Sequence, residues 1–410
     1  MTRILKVSAL AIALASPTMP GAIQTAALAQ EAAAPVAPAA PVATVAVVWQ
    51  RDAARELLAY VEAIGAEGLD PAAYNPERLR QALATGDDAA ITPAASTIFR
   101  QLSIDLSGGA VRGRSRGEIY VPDVTIDAAR QQDLLRQASQ GGGVAELLNG
   151  LHPVHPQYAG LRRALAETPP EDRARRDLIR ANMERWRWLP RSLGARHVIV
   201  NVPAFTAAIV DNGNVTARHR TVVGARRTST PQLSAEITAV TINPWWNVPQ
   251  SIIRENGGRF GGGYQVTRGA GGAMTVRQPP GPGNALGRVK IEMPNPHAIY
   301  LHDTPAQALF ARAVRAFSHG CIRTQHVRDF AAELLAPTGE WTRGRIDQTV
   351  ERGRTVTARL SAPIPVYIAY FTAAATNDGG IVTYADIYGR DTGVRTALNR
   401  GGGGTSTASR

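Results

Sequence analysis

The hydrophobic period of this chain changes once, near Arg196, and that change limits the fold more than any single motif does. Upstream, apolar residues recur at helical spacing: Leu57, Leu58, Val61 and Ile64 form one stripe, closed by Gly68 and Pro71. Further helical pieces are expected near 76–83, 94–106, 127–137 and 157–166. Another spans 178–189, with Ile179, Met183 and Trp186 on one face and Pro190 ending it. Downstream the pattern alternates. Residues 197–202 read as a strand, and 207–210 and 215–223 flank Asp211-Asn212-Gly213-Asn214, a hairpin turn signal. Short strands are also expected at 237–242, 289–293 and 298–301. A run of helices followed by a run of strands predicts an α+β chain, with an N-terminal helical domain followed by a mostly-β domain. Two helices are expected inside the β part. Thr304-Pro305 opens one that runs to about Ala316, and Thr324 caps another with the stripe Val327, Phe330, Ala331, Leu334 and Leu335.

The ends of the chain read differently. Arg3 and Lys6 precede an apolar run at 7–15, and Ala27-Leu28-Ala29 supplies small residues for signal cleavage, so 1–29 is expected to be a signal peptide. Pro17 and Pro20 interrupt the apolar run, which falls short of the ~20 residues a membrane span needs. Export without a transmembrane span is the expectation. Residues 30–48, almost all Ala, Pro and Val, read as an extended tether. The helical domain is then placed at 49–168, a connecting helix at 169–193 and the β domain at 194–392. Residues 393–410, ending in a glycine run and small polar residues, read as a disordered tail.

The net charge is +12, yet 43 of the 45 basic residues are arginine and the only lysines are Lys6 and Lys290. The arginines are scattered, without aromatics interleaved, which argues against nucleic acid as a partner. An acidic polymer outside the cytoplasm suits the charge.

One cysteine, Cys321, serves the whole chain, so it has no disulfide partner within it. It sits in Ser318-His319-Gly320-Cys321-Ile322-Arg323. A thiol is only a few per cent thiolate at neutral pH and needs a base or nearby positive charge to act as a nucleophile. His319 and Arg323 are local candidates, and the Gly320 and Cys321 amides offer an oxyanion hole. The same residues also read as a helix-capping histidine and a solvated surface arginine. His302, 19 positions upstream in Tyr300-Leu301-His302-Asp303-Thr304, favours the first reading, because a strand and a return can bring it to the thiol as general base. The eight histidines show no metal-ligand spacing, and no metal or cofactor is expected.

This pattern resembles the YkuD-type L,D-transpeptidases of peptidoglycan, whose motif is an upstream His followed by Ser/Thr-His-Gly-Cys-x-Arg/Asn. The stretches Asn243-Pro244-Trp245-Trp246-Asn247-Val248-Pro249, Pro294-Asn295-Pro296-His297 and the glycine- and proline-rich run 277–287 are similar to the large YcbB-like group. Glu67-Gly68-Leu69-Asp70-Pro71 resembles that group's helical scaffold. The resemblance implies a periplasmic acyltransferase for which Cys321 is the nucleophile and His302 the general acid and base. His319 and Gly320 would shape the thiolate and oxyanion environment. Arg323, Ser318, Tyr300, Asn247 and Trp246 would bind the donor, a stem tetrapeptide that loses its terminal D-alanine. The acceptor amine stays open: a neighbouring diaminopimelate, an outer-membrane lipoprotein lysine or a free D-amino acid. Water as acceptor would make the same site a carboxypeptidase or crosslink hydrolase, and a silent wall-binding protein is the non-catalytic rival. Residues 251–277 resemble a shortened lid. Within 257–272, eight of sixteen residues are glycine, which predicts a mobile segment and not a packed element.

Overall fold

A computed structural model of the chain describes residues 47–376 and 378–400. The expected signal peptide, most of the tether and the end of the tail lie outside these residues.

The helical part begins at Arg51–Glu62 and continues through Pro76–Thr85, Asp88–Gly108, Ala128–Ser139, Val144–Asn149 and Pro156–Glu167 to Arg173–Trp186. Its starts follow from short polar side chains. Asp87 accepts from the Ala89 and Ala90 amides, Asp127 from Arg130 and Asp172 from Arg175, each satisfying an otherwise orphaned first-turn donor. The apolar faces meet around Leu57, Phe99, Leu102, Leu106 and Leu134, all fully buried.

Where the expected disordered tail begins, the chain instead forms the helix Asp391–Asn399. Its Val394 and Leu398 bury in the helical core, and Asp391 pairs with Arg185 at 2.6 Å. Glycine-rich composition beyond residue 400 hid an amphipathic helix of about two and a half turns before it.

The main strands make one sheet that closes on itself. From Gln232–Ile242 the order runs through Val356–Ala369, Arg196–Asn201, Thr206–Asp211, Asn214–Gly224, Ile322–Thr324, Leu301–His302 and Val289–Glu292. Val289–Glu292 then pairs back onto Gln232–Ile242, Val240 opposite Ile291. Inward residues Val198, Val200, Ile237, Val240, Ile291, Leu301, Ile322 and Val366 fill the interior with the helix Val327–Leu335. The expected hairpin turn is present, with Asn212 and Gly213 both at positive φ, 48° and 81°.

Two bonds of structure tie the parts together. Ile119–Tyr120 leaves the helical region to pair in parallel with Gln232 and Leu233. Tyr158, Leu161, Ile179, Met183 and Trp186 pack against Tyr367, Ala369 and Phe371 on the other side. Arg187, fully buried beside them, donates through its two terminal nitrogens to Glu184 at 3.0 Å, the Tyr158 hydroxyl at 2.7 Å and the Glu67 carbonyl.

Three local expectations are corrected. The segment after Thr304 is no helix: a 3-10 turn at Gln307–Ala311 gives way to extended chain. Helix propensity loses here because the segment must reach the strand Ala316–Ser318, and Arg315 anchors it by donating to the Thr221 and Phe205 carbonyls. Thr324 is a buried strand residue opposite Thr221, so the following helix starts at Val327 behind His326, itself at φ 52°. The glycine-rich insertion is folded, with a short helix Gln250–Glu255 and the strands Gln265–Arg268 and Met274–Gln278 completing a three-stranded sheet with Trp246–Asn247. Val248, Ile253 and Val276 give it a small core of its own.

Candidate active site

Cys321 lies between two strands, Ala316–Ser318 and Ile322–Thr324, and not between two helices. The neighbouring strand is Leu301–His302, running parallel, with Leu301 opposite Ile322 and His302 opposite Arg323. Because side chains alternate along strands, this register places the imidazole and the guanidinium on one face and the two apolar partners in the core. The Ile322 amide donates to the Tyr300 carbonyl at 3.0 Å, which fixes the thiol's height on the sheet. Cys321, His302, Arg323, Tyr300 and Trp246 all line one cavity of about 400 Å³, with Ile252, Glu255, Leu286, His297 and His319 around it.

The electrostatics favour a neutral resting pair. Burial pushes the His302 imidazole down to about 3, and the charges of Arg323 and Lys290 push in the same direction. Its Nδ1 is buried without a hydrogen-bond partner among the described residues. Burial pushes the Cys321 thiol up, opposed by hydrogen bonding from Tyr300 and by the charges of Lys290 and Arg323. The thiol itself points to the Ala298 carbonyl at 3.5 Å. Thus the site holds a thiol beside an unprotonated imidazole at neutral pH. Arg323 is partly buried, makes no ion pair among the described residues and has an unpartnered Nε. A desolvated guanidinium facing a cavity in this state is ready for an anion.

The turn that carries the thiol is braced from several sides. Ser318 Oγ donates to the Cys321 carbonyl at 2.5 Å and accepts from the Gly320 amide at 3.2 Å. Thr230 donates to the Gly320 carbonyl at 2.8 Å while accepting from the Gly224 amide at 2.8 Å. Thr228 and the Ala225 amide both donate to the Ser318 carbonyl. Gly320 has φ 113°, and a Cβ there would stand 3.2 Å from Ile299 Cδ1, so this position requires glycine.

Residues 195–364 match the family model described as the YkuD L,D-transpeptidase catalytic domain, and residues 44–165 match one described as a scaffold domain. The chain thus carries a YkuD L,D-transpeptidase catalytic domain preceded by a scaffold domain. A Haemophilus influenzae protein named "Putative L,D-transpeptidase" is 31% identical over 225 residues, 49% of this chain and 45% of that protein. The chain therefore spans less than half the length of this relative. Among solved structures, an L,D-transpeptidase from Mycobacterium smegmatis is 14% identical over 42% of this chain and 58% of its own, at a TM-score of 0.24. Another is L,D-transpeptidase 3 from Mycobacterium tuberculosis with a faropenem-derived adduct, 12% identical over 43% and 60%, also at a TM-score of 0.24.

Within this YkuD domain the motif residues do not all stand where the sequence placed them. His319 is half-exposed and its Nε2 bonds Glu255 at 2.9 Å, so its partner is a carboxylate on the insertion. The Gly320 amide is engaged by Ser318 and is not free for an oxyanion; Ser318 itself braces the turn. Asn247 is exposed and outside the cavity, paired with Arg277 in the small sheet. Trp246 and Tyr300 do line the cavity. Sequence reasoning missed Thr230 and Glu255, which are 90 and 64 positions from their partners in the motif. Lys290, stacked over Tyr300 at 4.6 Å, carried a signal that went unused: it is the one lysine beyond residue 6 in an arginine-dominated chain. Among the described residues no group of three or more His, Cys, Asp or Glu is gathered to hold a metal ion.

Proposed function

We propose that the chain is a peptidoglycan L,D-transpeptidase that works by acyl transfer through Cys321. The observation that carries this reading is the convergence of a thiol, an unprotonated imidazole and an unpaired guanidinium on one cavity. His302 takes the thiol proton as sulfur attacks the amide before the terminal D-alanine of a stem tetrapeptide. The C–N bond breaks, and His302 passes that proton to the departing amine, leaving a thioester. An acceptor amine then attacks the thioester, ideally the side-chain amine of diaminopimelate on a second stem, and yields a crosslink between third-position residues. Arg323 grips a donor carboxylate, and Tyr300 and Trp246 form the wall against which the stem lies. Of the two motif amides, that of Cys321 is left to face the oxyanion, since Gly320 donates to Ser318. The proposed location is the periplasm, where peptidoglycan stems and a lipoprotein acceptor are both within reach. No helix among the described residues is long and apolar enough to cross a membrane.

Incubation of the purified protein with disaccharide-tetrapeptide, read by mass, tests the reading. The expected products are free D-alanine, an acyl-enzyme on Cys321 and a crosslinked dimer. Tripeptide alone, without dimer, would mean water is the acceptor and the enzyme a hydrolase. No acyl-enzyme and no product would sink the assignment.

A further inference from the structure

Three histidines line the cavity; His297 stacks on Tyr120, and the other two stand in opposite settings. His302 is deep, desolvated and opposite Arg323 in the sheet; His319 is at the mouth, half-exposed and bonded to a carboxylate. Glu255 is held at both oxygens, Oε2 on His319 Nε2 at 2.9 Å and Oε1 on Arg227 at 3.2 Å. It sits at the end of the insertion's helix Gln250–Glu255, and the same cavity wall includes Ile252 and His319. A carboxylate that accepts from Nε2–H fixes the neutral imidazole in the tautomer whose Nδ1 carries the lone pair. That Nδ1 makes no hydrogen bond among the described residues. This is the orienter–base arrangement of nucleophilic enzymes, placed on the solvent-exposed side of the cavity.

We propose that Glu255 and His319 form an acceptor-side pair: His319 Nδ1 is the base for the incoming amine, and Glu255 is its positioning residue. The inference rests on the acyl transfer proposed above and concerns its second half. The acceptor nitrogen attacks the thioester carbon, the new N–C bond forms and the C–S bond breaks with its electron pair leaving on Cys321 Sγ. The proton lost by the amine goes to His319 Nδ1, and Glu255 stabilises the imidazolium. That proton then returns to the sulfur through solvent at the open mouth, so the thiol and both histidines end as they began. The acceptor class this arrangement selects is an amine in its free-base form, whose lone pair attacks and whose N–H proton a neutral imidazole can take, while Arg323 is reserved for the donor's carboxylate.

The test separates the two halves of the reaction in the full chain. Acyl-enzyme formation from a tetrapeptide donor is timed by mass in single turnover, and transfer to a D-amino acid is timed from isolated acyl-enzyme. His319→Gln is expected to slow transfer by ~10²–10⁴-fold, the range for a lost general base. Glu255→Gln should slow transfer by about tenfold or more with acylation within about twofold, and Glu255→Asp should restore part of the loss. If Glu255→Gln leaves transfer unchanged, or slows acylation as much as transfer, the pair is a brace for the insertion and the inference falls. Absence of any acyl-enzyme in the unmodified protein would remove the proposed activity as well, a different and recognisable failure.

Discussion

Two stretches meet at the cavity, and they are built on opposite terms. The nucleophile turn, 318–323, is held by hydrogen bonds from Thr228, Thr230 and Ala225 and by Ser318 within it. The insertion, 251–277, buries only Ile253 and Val276, against Val248 just before it, and its strand Gln265–Arg268 is exposed throughout. Glycine shows the difference most clearly. At Gly320 both φ and space demand it, whereas a Cβ at Gly261, Gly262 or Gly263 would meet nothing within 4 Å. The turn is overdetermined because the reacting atom must not move. The insertion is underdetermined, as a segment that admits substrate can be.

The comparison breaks completely if the turn does not carry the chemistry. Cys321→Ala is expected to abolish acyl-enzyme and crosslinked dimer while leaving the thermal transition close to that of the parent, because the thiol only flanks the core. Dimer formed at the parental rate by this variant would remove the turn from the mechanism.

The next effect is smaller and concerns the base. His302→Ala should slow acylation by ~10²–10⁴-fold. His326 provides the control, as it is exposed and heads the next helix at φ 52°; His326→Asn suits that backbone and should change little. Because the His302 imidazole is held down to about 3, its unprotonated form persists through mildly acid solution. Acylation should therefore stay flat from about pH 5 to the onset of thiol titration, with no loss near the ordinary histidine value of about 6.5. A fall in rate centred there would show an imidazole that titrates normally.

Much of this was legible in the sequence, and the boundary of legibility is physical. The helical stripe of Leu57 and Val61, the hairpin at Asn212-Gly213 and the alternation of residues 197–202 are local patterns that packing reinforced. The 19-residue spacing of His302 and Cys321 pointed to one cavity because both lie beside strand ends, where register leaves little choice. What the sequence could not supply is partnership across long separations. Thr230 looks like any loop threonine until it bridges Gly224 and Gly320, and Glu255 like a surface charge until His319 is opposite. The helix expected after Thr304 failed for the same reason: strong local propensity gave way to a strand pairing with Val223 that no nearby residue announces.

Glycine substitution in the turn sharpens the contrast without touching a reacting group. Gly320→Ala forces a side chain onto φ 113° and against Ile299, and strain of that kind costs about 1–3 kcal/mol. Part of it should be relieved by shifting the turn, so acylation should drop by about tenfold or more while the thermal transition falls. That drop corresponds to about 1.4 kcal/mol in the barrier. Unchanged acylation in a destabilised variant would mean that the turn's geometry is structural only.

The smallest effect is expected in the insertion, and its sign is opposite for stability. Gly261, Gly262 and Gly263 combine open space with ordinary φ, so alanine at all three removes freedom from the unfolded chain without a clash. Each such replacement stabilises by about 0.4–1 kcal/mol at most where the backbone already suits alanine. Here the benefit should be confined to the insertion, whose core of Val248, Ile253 and Val276 is separate from the main one. Amide exchange in 256–272 should slow, with the global transition unmoved. If freedom of this loop admits the donor, acylation should fall by a few-fold through a slower entry step, and modification of Cys321 by a small thiol reagent should stay as fast as before. Slower exchange with unchanged donor kinetics would make the loop a connector between two strands, leaving the helix residues Ser251, Ile252 and Glu255 and the adjoining Asn256 as the insertion's bearing on the site.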